Sequence, residues 1–127
     1  MEVNLNVGLK HKEEKTVTMK DTAKAFGSGA ALVFATPMMI GLMENASMNS
    51  VEEFLPEGFS TVGISVDIKH ISATAVGKKV WVESELIEID RKRLVFKVDA
   101  YDEDKKIGEG IHERFIINEK EFMNKLK

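Results

Sequence analysis

The chain has 127 residues, 43% hydrophobic and 31% charged, with a net charge of -3 and no cysteine. That is enough for one domain with its own core, and the balance is that of an ordinary globular protein. It disfavours nucleic acid as the main partner, since phosphate binding needs a basic surface. It also excludes disulfides, thiol catalysis and thiolate metal sites, which suits a cytoplasmic protein. Glu2 and the polar residues around it leave no signal-peptide core, and no stretch of about eighteen apolar residues offers a membrane span.

Residues 2–14 are mixed and lead into the run Lys10-His11-Lys12-Glu13-Glu14-Lys15, expected as an irregular lead-in with His11 on the solvated surface. Thr16-Val17-Thr18-Met19 reads as a short strand. Phe26-Gly27-Ser28-Gly29 is a loop without phosphate-loop spacing, either a plain connection or a flap near a site. A helix is expected over about 35–47, with Thr36 at its cap and Pro37 in its first turn. It is apolar on nearly every side, which points to burial. Ser50 and Glu53 suggest a second short helical turn, ended by Pro56 and Gly58.

From Phe59 the period becomes two, with Val62, Ile64, Val66, Ile68 and then His70 on one face. Val80 to Ile89 is the next strand, and Asp90-Arg91-Lys92-Arg93 is a charged hairpin. Leu94, Phe96, Val98 and Ala100 form the inner face of another strand, followed by a polar turn from Asp102 to Lys106. Ile107, Ile111, Phe115 and Ile117 mark the last strand, with Gly108 and Gly110 as bulge positions and a charged helix over 119–127 after it. Short turns make these strands antiparallel. The fold class is therefore α+β, a sheet of about five strands wrapped around one central helix, the hot-dog arrangement, in a single domain over 1–127. An open sheet edge makes a homodimer the expectation, with tetramers left open.

Chemistry concentrates at Glu44. A carboxylate on a buried helix must be paired, neutralised or used. His70, at the end of the apolar row, faces the same helix, and Thr36 adds a hydroxyl. Together they could form a hydrolytic set, with free N–H groups of the helix start binding an oxyanion. Each has a plainer reading: Thr36 as a cap, His70 as a hydrogen-bonded core histidine, Glu44 at a dimer contact. At 1.5 Å per residue, Thr36 and Glu44 lie about 12 Å apart along the axis, too far to hydrogen-bond directly. Imidazole and substrate span that gap, or the first turn is not helical, or a second subunit completes the site. Three scattered histidines without a carboxylate cluster do not make a zinc pattern, so no metal or other cofactor is expected. Arg114, read beside His112 on the polar face of the last strand, is either a phosphate contact or a surface ion pair. Lys78 and Lys79 read as a charged turn.

Ala35-Thr36-Pro37, Glu44, Gly63 and His70, with eight residues from threonine to glutamate and twenty-six from glutamate to histidine, resemble the hot-dog acyl-CoA thioesterases, in the branch that includes fluoroacetyl-CoA thioesterase. The resemblance covers residues 10–118. It implies that Thr36, Glu44 and His70 are catalytic, that Gly63 lies near the thioester oxygen and that Arg114 contacts coenzyme A. It implies an acyl-CoA substrate. Gly27 and Ala30 stand where the fluoroacetyl-specific member carries aromatic lid residues, so a short- or medium-chain acyl-CoA is the expected substrate. The alternative is a non-catalytic acyl-CoA binding or sensing module on the same fold. The Asp–His hydration motif of related hydratases is not visible.

Overall fold

The computed structural model describes residues 3–127; Glu2, whose charge argued against a leader segment, lies outside them. Five antiparallel strands form one sheet in the order β1-β3-β4-β5-β2: β1 (Lys10–Thr16), β2 (Phe59–His70), β3 (Lys79–Asp90), β4 (Arg93–Asp102) and β5 (Lys106–Asn118). The short helix α1 (Ala23–Phe26) precedes the long helix α2 (Thr36–Glu52), and α3 (Glu119–Asn124) closes the chain. Helix α2 lies on one face of the sheet, as expected of the hot-dog architecture. It buries Met39, Met43, Ala46, Ser47, Ser50 and Val51, a stripe at helical spacing. Against it pack Val80, Val82 and Leu86 of β3, Leu94, Phe96, Val98 and Ala100 of β4, and Ile107 and Ile116 of β5. The opposite side of α2 exposes Gly41, Asn45 and Asn49, so the helix is covered on one side only.

Several boundaries differ from the sequence reading. The charged run at 10–15 is itself strand β1, paired with β3 from Lys10↔Glu85 to Thr16↔Lys79. It lacks an apolar face because it is an edge strand, where charges discourage pairing with other chains. His11 is half-buried there, with Nε2 2.7 Å from Glu13, whose carboxylate also accepts from Asn49 of α2. The expected strand at 16–19 is replaced by a turn: Thr18 and Asp21 form a capping box around a single 3-10 turn. Nor does α2 break at Ser50, whose hydroxyl bonds back to the Ser47 carbonyl while the helix runs on to Glu52.

The register of the outer strands changes more. In β2 the pairing passes from Gly63↔Arg114 to Ser65↔Glu113, so Ile64 is an extra, bulged residue. The bulge flips the alternation. Thr61 and Gly63 face α2 before it, and Ile68 and His70 face α2 after it. Ile64 and Val66, expected in the core, are 51% and 49% exposed. In β5 the inner face carries His112, Arg114 and Ile116, whereas Phe115 points outward. Phe115 and Ile117 instead join Val62 and Phe122 in a small outer cluster against α3. Gly108 and Gly110 pair regularly with His70 and Ile68 of β2, but against β4 the register slips at Ile107, beside Gly108, so the expected irregularity falls there and not at Gly110. They permit close approach: a Cβ at Gly110 would run into the Asp67 carbonyl.

One buried carboxylate fastens the β4–β5 turn. Asp102 accepts from Thr74, from the Asp104 and Lys105 backbone and from Lys105 Nζ, at 2.8–3.0 Å. Burial works against its charge, but the Lys105 contact and the other donors outweigh it and hold the carboxyl at about 2 against the usual 3.8. A depressed carboxyl stabilises the fold above the unfolded value of 3.8 and loses that effect as pH falls towards 2. Asp102→Asn is therefore expected to lower unfolding free energy by about 2 kcal/mol at neutral pH. In urea titrations the difference from the wild type should shrink steadily below pH 4.

Candidate active site

Ala35 occupies the N-cap of α2 in extended conformation, with no side-chain cap, and Thr36 is the first helical residue. Thr36 is thus released from capping. Its Oγ1 lies 2.7 Å from Nδ1 of His70 at the end of β2. The ring is half-buried, and its Nε2 is buried without a hydrogen-bond partner. Burial pushes the imidazole below its ordinary 6.5, with the Ser72 backbone working the other way, so the ring is neutral at pH 7 and able to take a proton. If it acts as the base, the acid limb of kcat/KM falls below pH 6.5, which a pH–rate profile reads directly. The pair borders a cleft of about 420 Å³ whose walls include Ala23, Ser28, Phe34 and Ile71. Ser28 belongs to the two-glycine loop of the sequence, which therefore edges this cleft. The oxyanion cradle expected of the helix start is narrow: Pro37 has no N–H, and Met38 and Met39 both donate to the Ala35 carbonyl.

A second group gathers two turns further along α2. A Cβ on Gly63 would stand 2.9 Å from Oε2 of Glu44, 3.3 Å from Cε1 of His112 and 3.4 Å from Nη1 of Arg114. A side chain there would have to displace the Glu44 carboxylate and press on His112 and Arg114. Arg114 is 5% exposed and His112 1%, so neither sits on the outer polar face where the sequence reading put them. They turn inward because the β5 register does, and the burial is tolerated because each guanidinium nitrogen and both ring nitrogens of His112 have a hydrogen-bond partner. Arg114 Nε donates to Thr61 Oγ1 at 2.7 Å, Nη2 to the Thr61 carbonyl at 2.9 Å and Nη1 to His112 Nε2 at 3.1 Å. Desolvation lowers the guanidinium pKa, opposed by the carboxylates of Glu44 and Glu52. Glu44 is only half-buried, and among the described residues it has no cation within 4 Å.

Within one copy, then, Thr36 meets His70, and Glu44, His112 and Arg114 converge on Gly63, but no hydrogen bond joins the two groups. Both Thr36 and Glu44 lie in one continuous helix, so their separation of about 12 Å along the axis stands. His112, read as a surface residue, and Thr61 were not singled out for the site. For His112 the signal was the alternation Gly110, His112, Arg114, Ile116, masked by the stronger apolar residues of the other face.

Comparison with known proteins bears on this geometry. A family described as fluoroacetyl-CoA-specific thioesterase matches residues 17–120. The fluoroacetyl-CoA thioesterase of Streptantibioticus cattleyicolor is 37% identical over 95 residues, covering 75% of this chain and 68% of that protein. This chain belongs to the fluoroacetyl-CoA-specific thioesterase family. A solved structure of the fluoroacetyl-CoA thioesterase FlK superimposes with a TM-score of 0.91 at 30% identity, covering 97% of this chain and 96% of that one. A thioesterase superfamily member from Thermus thermophilus superimposes with a TM-score of 0.88 at 27% identity, over 95% of this chain and 90% of that one. Family membership bears out the resemblance seen in Ala35-Thr36-Pro37, Glu44, Gly63 and His70, and with it the hot-dog fold. As a family thioesterase, the chain carries Glu44 as the one carboxylate at the convergence on Gly63 and His70 as the one imidazole on the cleft. Among the described residues no group of three or more His, Cys, Asp or Glu side chains could hold a metal ion, and no helix is long and apolar enough to cross a membrane.

Proposed function

We propose that the protein hydrolyses short- or medium-chain acyl-CoA thioesters to the carboxylate and free CoA, as a homodimer in which each site is shared between two copies. The observation that carries this reading is the division of the site residues into two groups at separate places on one α2–β2 frame. Strand β2 is an edge strand, and its residues 63–67 are all exposed, Ile64 and Val66 among them. An apolar, unpaired edge invites a second strand. Antiparallel pairing of β2 with its own copy, on a two-fold axis between Val66 and Asp67, sets Gly63 of one copy opposite His70 of the other. Glu44 and Arg114 of one copy would then face Thr36 and His70 of the other across a single thioester. Such a dimer also covers the exposed apolar residues of the edge.

In that site Glu44 is the carboxylate that attacks the thioester carbon or draws the proton from the attacking water, since no ion pair within 4 Å engages it. His70, neutral and hydrogen-bonded to Thr36, takes a proton from the attacking water and, as the imidazolium so formed, passes it to the leaving sulfur. Gly63 leaves room for the thioester oxygen beside Arg114 Nη1. The acyl group is assigned to the cleft beside Thr36 and His70, which Ser28 edges, and the flanking residues 27–32 are small or aliphatic and exposed, which favours acyl groups larger than acetyl. The absence of cysteine suits a reducing cytoplasm. A thiol-release screen over acyl-CoAs graded in chain length and charge tests the reading. Turnover with a maximum at short or medium chains supports it; tight CoA binding without thiol release would instead make the protein a binding module.

A further inference from the structure

We propose that His112 is a positioning residue for hydrolysis: its Nε2 accepts from Arg114 Nη1 and so holds the guanidinium edge beside Glu44 and Gly63. This rests on the thioesterase reading above. The ring's protonation is fixed by its neighbours from both sides. Nδ1 lies 2.8 Å from the Ser65 carbonyl, which can only accept, so Nδ1 carries the proton. Nε2 lies 3.1 Å from Arg114 Nη1, which can only donate, so Nε2 carries the lone pair. An imidazolium would set N–H against N–H. The ring stacks on Phe96 at 6.5 Å between centroids, and both His112 and Arg114 are buried.

The charged groups around His112 are Arg114 and Glu113 on β5 and Glu44 on α2. Burial pushes its pKa down; the Ser65 carbonyl opposes this, Arg114 reinforces it, and Glu44 and Glu113 oppose it. The net result is a neutral ring. A merely structural filler at this place would be apolar. Here, one imidazole ties two parts of the Glu44 pocket together. Through Nδ1–H it pins Ser65, the residue after the β2 bulge that places Gly63. Through Nε2 it fixes Nη1, the one guanidinium nitrogen not already held by Thr61. Without it the buried Nη1 N–H and the Ser65 carbonyl both lose their partner, and the planar guanidinium, held from the Thr61 side alone, is free to tilt as a unit away from Gly63.

The test compares the wild type with His112→Phe, which fills the volume but cannot accept, and His112→Gln, whose Oε1 can accept from Nη1. Expected for His112→Phe is a kcat about 10- to 100-fold lower with KM within about 3-fold, and for His112→Gln a recovery to within about 3-fold of wild-type kcat. Nitrogen-15 NMR of the wild-type imidazoles is expected to show His112 neutral, with the proton on Nδ1, unchanged from pH 6 to 8. A wild-type-like kcat in His112→Phe would overturn the proposal, as would His112→Gln no better than His112→Phe, or a proton on Nε2. If His112→Phe fails to fold, the glutamine variant and the NMR decide. If the wild type releases no thiol, the hydrolase reading fails by itself, and the NMR still confirms or overturns the clamp.

Discussion

Glu44→Gln is expected to lower kcat for thiol release by about 10³-fold while leaving KM within a few-fold, because a carboxylate acting as base or nucleophile contributes mainly in the transition state. The amide has the shape of the carboxylate and still fits beside Gly63, so a loss on this scale cannot come from repacking. The variant should remain folded. Glu44 is half-buried, and Arg114 keeps its bonds to Thr61 and His112. A small drop in melting temperature is expected, since the guanidinium loses the nearby negative charge that favours its charged form. Steady-state kinetics beside a thermal melt separates the two effects. Activity retained in Glu44→Gln would remove the carboxylate from the chemistry.

The second large effect is His70→Ala, expected to lower kcat by about 10²- to 10³-fold. Its stability cost should be slight. The ring is only half-buried, its Nε2 has no partner, and its one side-chain bond is to an exposed threonine. Removing a buried, unpartnered polar atom relieves a desolvation cost as well as losing packing. Combining His70→Ala with Glu44→Gln should cost little more than Glu44→Gln alone, since groups that act as a unit are not additive. Independent roles would instead give the product of the two losses.

The parts of this fold that were legible in the sequence are those where pattern and environment agree. The inner face of β4, Leu94 to Ala100, alternates without interruption and is buried as read. The existence of α2 and its carboxylate were equally plain, but the helix, read as apolar on nearly every side, buries only one stripe and exposes Gly41, Asn45 and Asn49. Legibility failed where the strands leave the core. Strand β1 carries charge on both faces because it lies at an edge, so its period has no apolar signal. In β2 an unbroken alternation of β-branched residues concealed the bulge at Ile64, which reverses the faces; the neighbouring Gly63 was its only local sign. In β5 the more hydrophobic set, with Phe115 and Ile117, lies outside under α3, while the inner set includes a histidine and an arginine. Hydrophobicity alone assigns that strand backwards; only mutual satisfaction of Thr61, His112 and Arg114 explains the observed choice. At the site, residue identities were readable but their grouping was not. The sequence put Glu44 near His70 because both face inward, yet the helix's length keeps them apart within one copy.

That separation gives the most direct measurement. Glu44→Gln and His70→Ala proteins, each nearly inactive, are mixed, dissociated and reassociated in equal amounts. If each site takes Glu44 from one copy and His70 from the other, every mixed dimer has one intact site, and the mixture regains about one quarter of wild-type activity. If both residues serve within the same copy, no combination of chains contains an intact site, and a reassociated mixture that stays as inactive as its parents would contradict the shared site.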